Sequence, residues 1–317
     1  MKKVLSMLLV SALVLAMFAG CGAPQSNGNK FIMATGGTSG TYFPFGGAIG
    51  QVINGHVEDV DITITSSGAS TENLRLISSG DADLAIVQND VLDYAVNGTE
   101  LFKEKIGGLT AIATLYPEVV QIVVGKDSGI NSIADLKGKK VSVGDVGSGV
   151  EANAKQTLEM YGMTFEDIKA QHLSFKESAS TFQDGQIDAF FVSAGVPNTA
   201  IVELMVSQPI KLLGFEDDKL AAMIEKYPFY TAFEIGKDVY NTDAPAKTLA
   251  IKATLIASEK LSEDVVYNMT KALFENLGEL GEAHAKGKEV ALETALGGIS
   301  TTIHPGALKY FKEKGIA

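Results

Sequence analysis

One cysteine and one arginine occur in the 317 residues. A lone thiol leaves no partner for an intramolecular disulfide and no second sulfur for a thiolate metal site. The other 25 basic side chains are lysines, so no cluster of planar guanidinium groups is available to clamp an anion. Positive charge is scarce as a whole: 26 Lys and Arg stand against 38 Asp and Glu, a net charge of −12. That balance supplies no basic footprint and excludes nucleic acid as a partner. Charged residues make up 20% of the chain against 46% hydrophobic, which excludes a disordered protein, and the length suits two ordinary domains. The four histidines, His56, His172, His284 and His304, do not sit at metal-ligand spacing, and neither a P-loop nor a G-x-S-x-G elbow occurs. The chain is not expected to be an enzyme or to carry a metal or other cofactor.

The cysteine is Cys21, and its surroundings are informative. Lys2 and Lys3 precede an uncharged apolar run from Val4 to Phe18, shorter than the ~20 residues a membrane-spanning helix needs. The run ends in Phe18-Ala19-Gly20-Cys21, which resembles the lipobox of bacterial lipoproteins. Residues 1–20 therefore read as a lipoprotein signal peptide, Cys21 as the lipidated residue that anchors the chain to the cell membrane, and 21–30 as a polar tether. Removal of 1–20 leaves 24 basic against 38 acidic residues, a charge of −14, on an extracytoplasmic protein.

From Phe31 short apolar runs alternate with amphipathic stretches, the pattern of an α/β protein. Strands are expected at Phe31–Ala34, Ile62–Thr65, Leu84–Val87 and Ala111–Leu115, then at Gln121–Val124, Val141–Val143, His172–Phe175, Ala189–Val192 and Ile210–Leu213. The two series resemble each other. Ser79-Gly80-Asp81-Ala82-Asp83-Leu84-Ala85-Ile86-Val87 matches Asp184-Gly185-Gln186-Ile187-Asp188-Ala189-Phe190-Phe191-Val192, and the turn ending at Gly40 matches the one ending at Gly149. Thr248–Ala257 reads as a further strand, and Ser262-Glu263-Asp264 as a capped helix start. The expected division is 31–118 plus about 248–317 as one lobe and about 119–247 as the other.

Ligands of open α/β sheets bind outside the carboxyl ends of the strands, where helix N-termini offer N–H groups and a positive dipole end. Thr35-Gly36-Gly37-Thr38-Ser39-Gly40-Thr41-Tyr42 follows the first strand, and Val146-Gly147-Ser148-Gly149 follows its counterpart. Ser66 and Ser67 end the second strand, Gln88 the third, and Tyr116 the fourth, just before Gln121. Gly147-Ser148-Gly149-Val150-Glu151-Ala152 fits the G-x-G-x-x-A dinucleotide pattern, but the acid that pattern needs at the next strand end is displaced to Glu177.

These segments, together with Leu115-Tyr116-Pro117-Glu118, Ala194-Gly195-Val196-Pro197-Asn198 and His304-Pro305-Gly306-Ala307, resemble the TAXI family of solute-binding proteins of TRAP transporters. The resemblance implies a type II periplasmic-binding-protein fold: two α/β lobes joined by hinge crossings, with a ligand cleft between them. It also implies capture of glutamate, glutamine or a related dicarboxylate, and delivery to a TRAP permease driven by an ion gradient. The cleft residues it implies are Thr38, Thr41, Tyr42, Ser67, Gln88, Tyr116, Gln121, Ser148 and Gly149. TRAP receptors resemble one another in clamping a carboxylate with arginine, yet Arg75 sits inside a helix, so backbone amides and hydroxyls are expected to hold the anion. The alternatives are an ABC-type receptor for an anion such as a sulfonate, or a ligand sensor of the same fold.

Overall fold

The computed structural model describes residues 29–317; the expected signal peptide, Cys21 and most of the expected tether lie outside the described residues. The strands are β1 (Asn29–Ala34), β2 (Val60–Thr65), β3 (Leu84–Gln88), β4 (Leu109–Gly125), β5 (Lys140–Ser142), β6 (Lys169–Gln171), β7 (Ala189–Ala194), β8 (Ile210–Leu213), β9 (Thr231–Ile235) and β10 (Ala246–Ser258). The helices are α1 (Tyr42–His56), α2 (Ser70–Ser79), α3 (Asn89–Asn97), α4 (Gly149–Met160), α5 (Phe175–Gln183), α6 (Thr199–Met205), α7 (Asp217–Lys226), α8 (Glu263–Glu275), α9 (Leu277–Ala283) and α10 (Pro305–Glu313).

The sheet runs β2-β1-β3-β10-β4-β7-β5-β6, with β8 also on β4 and β9 on β10. In the first lobe β1 lies parallel between β2 and β3; in the second, β5 lies parallel between β6 and β7. The repeated sequence thus builds the same three-strand arrangement twice. Among the described residues only β4 and β10 serve both lobes. The first half of β4 pairs with the second half of β10, while Val119–Val124 turns to β7 and Ala246–Ala250 turns to β9. At the crossing Pro117 stands opposite Lys252, and the register slips between Lys252 and Thr254. Proline brings no N–H to the ladder, so two strands bonded firmly at both ends are bonded less well in the middle.

Each lobe has its own core. Phe45, Ile49, Val52 and Ile53 recur at helical spacing on α1 and are buried against Met33 and Leu84. Val266, Met269 and Leu273 of α8 and Phe311 of α10 join that same cluster, so the C-terminal segment packs on the first lobe. The second lobe is centred on Val141, Leu158, Phe191 and Tyr230. The helix expected from Ser262 forms with its hydroxyl accepting from the Val265 N–H at 3.3 Å.

Two expectations need correction. Ala111–Leu115 and Gln121–Val124 are one 17-residue strand, because Pro117 and Glu118 sit at the crossing without interrupting it. The segment His172–Phe175 is not a strand: β6 ends at Gln171, and Ser174 with Glu177 forms a capping box that starts α5.

Candidate ligand-binding site

Four helices begin at one cavity between the lobes. The starts of α1 and α2 come from the first lobe and those of α4 and α5 from the second, and the wall includes Gly40, Thr41, Ser70, Ser148, Gly149 and Ser174. The cavity holds about 530 Å3 when the part open to solvent is included. The first N–H groups of a helix have no partner inside it, so four starts aimed at one space make a region suited to an oxyanion.

Local sequence explains the aim of each start. Thr41 precedes α1, but its side chain makes no cap; Oγ1 instead accepts from the Gly195 N–H of the other lobe at 3.2 Å. Ala69, before α2, holds a left-handed φ of 71°, a strained state for alanine. It is kept there by Ser67, whose hydroxyl accepts from Ala69 N at 3.1 Å and donates to Asn73 Oδ1 at 2.6 Å. Asn73 is fully buried and donates to the carbonyls of Thr35 and Ile86 at 2.6 and 2.8 Å, tying the turn to two strand ends. In the second lobe Ser148 and Ser174 are ordinary caps, accepting from the N–H groups of Glu151 and Glu177.

The ionisable side chains on the wall are acidic or phenolic; among the described residues neither lysine nor arginine lines it. Glu118, 2% exposed, accepts from the Tyr42 hydroxyl at 2.5 Å. Burial pushes its carboxyl up to about 8, the Tyr42 bond pulls it down, and buried Asp90 adds to the rise. Burial also raises Asp145, with Glu177 and Glu72 adding repulsion. Two buried wall atoms have no protein partner, Gln88 Oε1 and Ser193 Oγ. They stand at equivalent places, near the ends of β3 and β7, one from each lobe.

Five of the nine expected cleft residues line the cavity: Thr41, Tyr42, Gln88, Ser148 and Gly149. The other four do not. Thr38 is exposed; Ser67 lies behind the wall as the brace of Ala69; Tyr116 is buried beneath it, edge-on to Phe45 with ring centroids 5.2 Å apart; and Gln121 accepts from the Tyr240 hydroxyl at 2.6 Å. The wall adds Glu118, Ser174, Phe175 and Ser193. The Ser174-x-x-Glu177 capping box was the readable signal for Ser174 and Phe175. Arg75 lies on the exposed side of α2 and is not part of the wall.

Cross-lobe hydrogen bonds show that the two halves are closed on each other. The Thr71 N–H donates to the Gly147 carbonyl at 3.2 Å, Gln88 Nε2 to Asn153 Oδ1 at 3.2 Å, and Lys286 Nζ to the Val196 carbonyl at 2.8 Å. Two similar lobes closed over a polar cavity have the architecture of the two-lobed periplasmic-binding-protein fold. Residues 33–315 match the NMT1-like family, and the chain belongs to that family. The arginine-binding extracellular protein ArtP of Bacillus subtilis is 31% identical over 175 residues, 53% of this chain and 65% of that protein. A putative aliphatic sulfonates-binding protein of Escherichia coli is 33% identical over 76 residues, 24% of each chain. The chain thus spans under two thirds of the length of each of these curated relatives. Among solved structures, PhnD1 of Prochlorococcus marinus in complex with methylphosphonate is similar, with a TM-score of 0.56, 12% identity and coverage of 90% of this chain and 97% of that one.

These matches correct the family expectation. The TAXI assignment is replaced by the NMT1-like family, and the TRAP permease and the dicarboxylate ligand fall with it. The relatives are named as binding proteins, one for arginine and one, putatively, for aliphatic sulfonates.

Proposed function

We propose that the protein is the extracytoplasmic solute-binding receptor of an ABC-type transporter, and that its ligand is a small zwitterion carrying an oxyanion and an ammonium group. The observation that carries this is the convergence of four helix starts on a cavity whose wall has acids and no cation. The helix starts and the Ser193 hydroxyl take the oxyanion, which needs donors rather than a guanidinium. Glu118 and the Gln88 carbonyl oxygen take the ammonium, whose charge draws the proton off Glu118 as it binds. Amino acids and aminosulfonates both meet this description. Ligand contacts from both lobes stabilise the closed state over the open one, and the closed form presents itself to the transporter. Thr41, Tyr42, Gln88, Ser148 and Gly149 are the binding residues of this reading. The change of pairing partners and the register slip midway along β4 and β10 support a lobe division at 31–118 plus about 248–317 against about 119–247, and lipid at Cys21 holds the receptor at the membrane.

A thermal-shift screen tests the ligand class. At a hundredfold excess over its dissociation constant a ligand adds about 2.7 kcal/mol of stability, a shift of several degrees. Taurine or a protein amino acid is expected to give such a shift, while ethanesulfonate, which lacks the amine, is not. A larger shift with ethanesulfonate than with any amino-bearing compound refutes the zwitterion.

A further inference from the structure

Beside the cavity a second set of polar side chains is sealed between the lobes. Asp90 and Tyr94 come from α3 in the first lobe; Asn153 and Gln156 come from α4, and Tyr230 from the segment before β9, in the second. All five are buried, Asp90 completely. Asn153 is the hub. Its Oδ1 accepts from Gln88 Nε2 at 3.2 Å, and its Nδ2 donates to Asp90 Oδ2 at 3.2 Å and to the Tyr230 hydroxyl at 2.8 Å. The Tyr230 hydroxyl donates onward to Gln156 Oε1 at 2.6 Å, and Gln156 Nε2 donates across the lobes to the Tyr94 hydroxyl at 3.0 Å. The other Asp90 oxygen accepts from the Val91 N–H at 2.8 Å.

A buried polar network of this kind is favourable only while each member is paired. Three of its bonds cross between the lobes, and two, through Tyr230, hold the amides of Asn153 and Gln156 in the orientation those crossings need. When the lobes part, every group can turn to water, so loss of one member penalises the closed state far more than the open one. Gln88 is the only one of these side chains that also lines the cavity. One of its amide atoms is engaged by the network, and the other, Oε1, is the buried unpartnered acceptor in the wall. A ligand donor on Oε1 fixes the amide plane and with it the donor that reaches Asn153.

We propose that Asp90, Tyr94, Asn153, Gln156 and Tyr230 are positioning residues that form a closure latch: they set the open-to-closed balance without touching ligand, and Gln88 couples the latch to the cavity. The proposal rests on the closed two-lobe geometry and not on the ligand's identity.

The test needs no ligand. Small-angle X-ray scattering of the full ligand-free chain compares wild type with Tyr230→Phe and Tyr94→Phe, each of which removes one hydroxyl and keeps the ring. Both variants are expected to shift the closed-to-open ratio toward the open form by roughly tenfold, read as a larger radius of gyration. Circular dichroism checks that each variant keeps its secondary structure. A scattering curve identical to wild type in both variants, whether or not their melting temperatures fall, overturns the latch, because the hydroxyls then matter only within the closed core. Should Tyr230→Phe fail to fold, Tyr94→Phe decides by itself, since Tyr94 lies at the end of the chain of bonds.

Discussion

Gly149→Ala is the sharpest single test of the closed cavity. A Cβ on Gly149 would lie 2.0 Å from Gln88 Oε1, 2.3 Å from Cδ and 2.8 Å from Nε2, well inside van der Waals contact. Gly149 belongs to the second lobe and Gln88 to the first, so the collision exists only when the lobes are closed. Gln88 is 2% exposed and bonded to Asn153, which leaves its side chain little room to retreat. Relief requires either breaking that bond, about 1 kcal/mol, and repacking at about 1–3 kcal/mol, or opening the cleft. The closed state therefore loses about 2–4 kcal/mol, and ligand affinity falls between roughly 30-fold and 1,000-fold at 1.4 kcal/mol per decade. Isothermal titration calorimetry with the compound giving the largest thermal shift measures the loss. Ligand-free scattering should expand as well, while each lobe's own packing is untouched and the ligand-free melting temperature moves little. Affinity within threefold of wild type would show that the cavity does not close on ligand as described.

Three further outcomes follow from the same geometry. Lys286→Met removes the bond from Nζ to the Val196 carbonyl and the ion pair to Glu289 at 2.6 Å; since Lys286 belongs to the C-terminal segment and Val196 to the second lobe, calorimetry should show affinity down about tenfold, and an unchanged value rejects this contact as part of closure. Burial raises the carboxyl of Asp90 to about 7 and that of Glu118 to about 8, whereas both titrate near 4 in the unfolded chain. Their contribution to stability is complete below about pH 4 and is lost as pH rises through about 7 to 8, so Asp90→Asn should flatten the fall in melting temperature between about pH 5 and pH 8.5 relative to wild type; parallel curves would refute a buried, proton-binding Asp90. Arg75→Lys, on the exposed side of α2, should leave affinity within a few-fold, and a hundredfold loss would reinstate the arginine as an anion clamp.

Much of the fold was legible because it is written locally. Apolar runs of strand length, helical spacing such as Phe45, Ile49, Val52 and Ile53, and caps such as Ser262 each act within a turn or two of the chain. The repeat around Gly80-Asp81 and Gly185-Gln186 announced two lobes of one design. The strand expected at His172–Phe175 failed for a local reason too: the apolar letters outweighed the capping box formed by Ser174 and Glu177. The family expectation failed because short Gly-, Ser- and Pro-rich segments answer to the backbone needs of helix starts and strand ends, so they fix the architecture better than the transporter class.

The sequence by itself determined the two-lobe architecture, the absence of an arginine clamp and the strand-end position of Thr41, Tyr42, Gln88, Ser148 and Gly149. Only the tertiary structure decided which polar residues meet. Ser67 and Gln121 look like wall residues by position, yet one braces Ala69 and the other bonds to Tyr240. Glu118 looks like a loop acid after Pro117, yet it is a buried carboxyl on a strand that crosses between lobes. The side-chain partner of Asp90, Asn153, lies 63 residues further along the chain, in the other lobe, and periodicity carries no information about contacts of that range. They are set by how two independently packed cores come together, and the same closure decides which polar groups are kept from water.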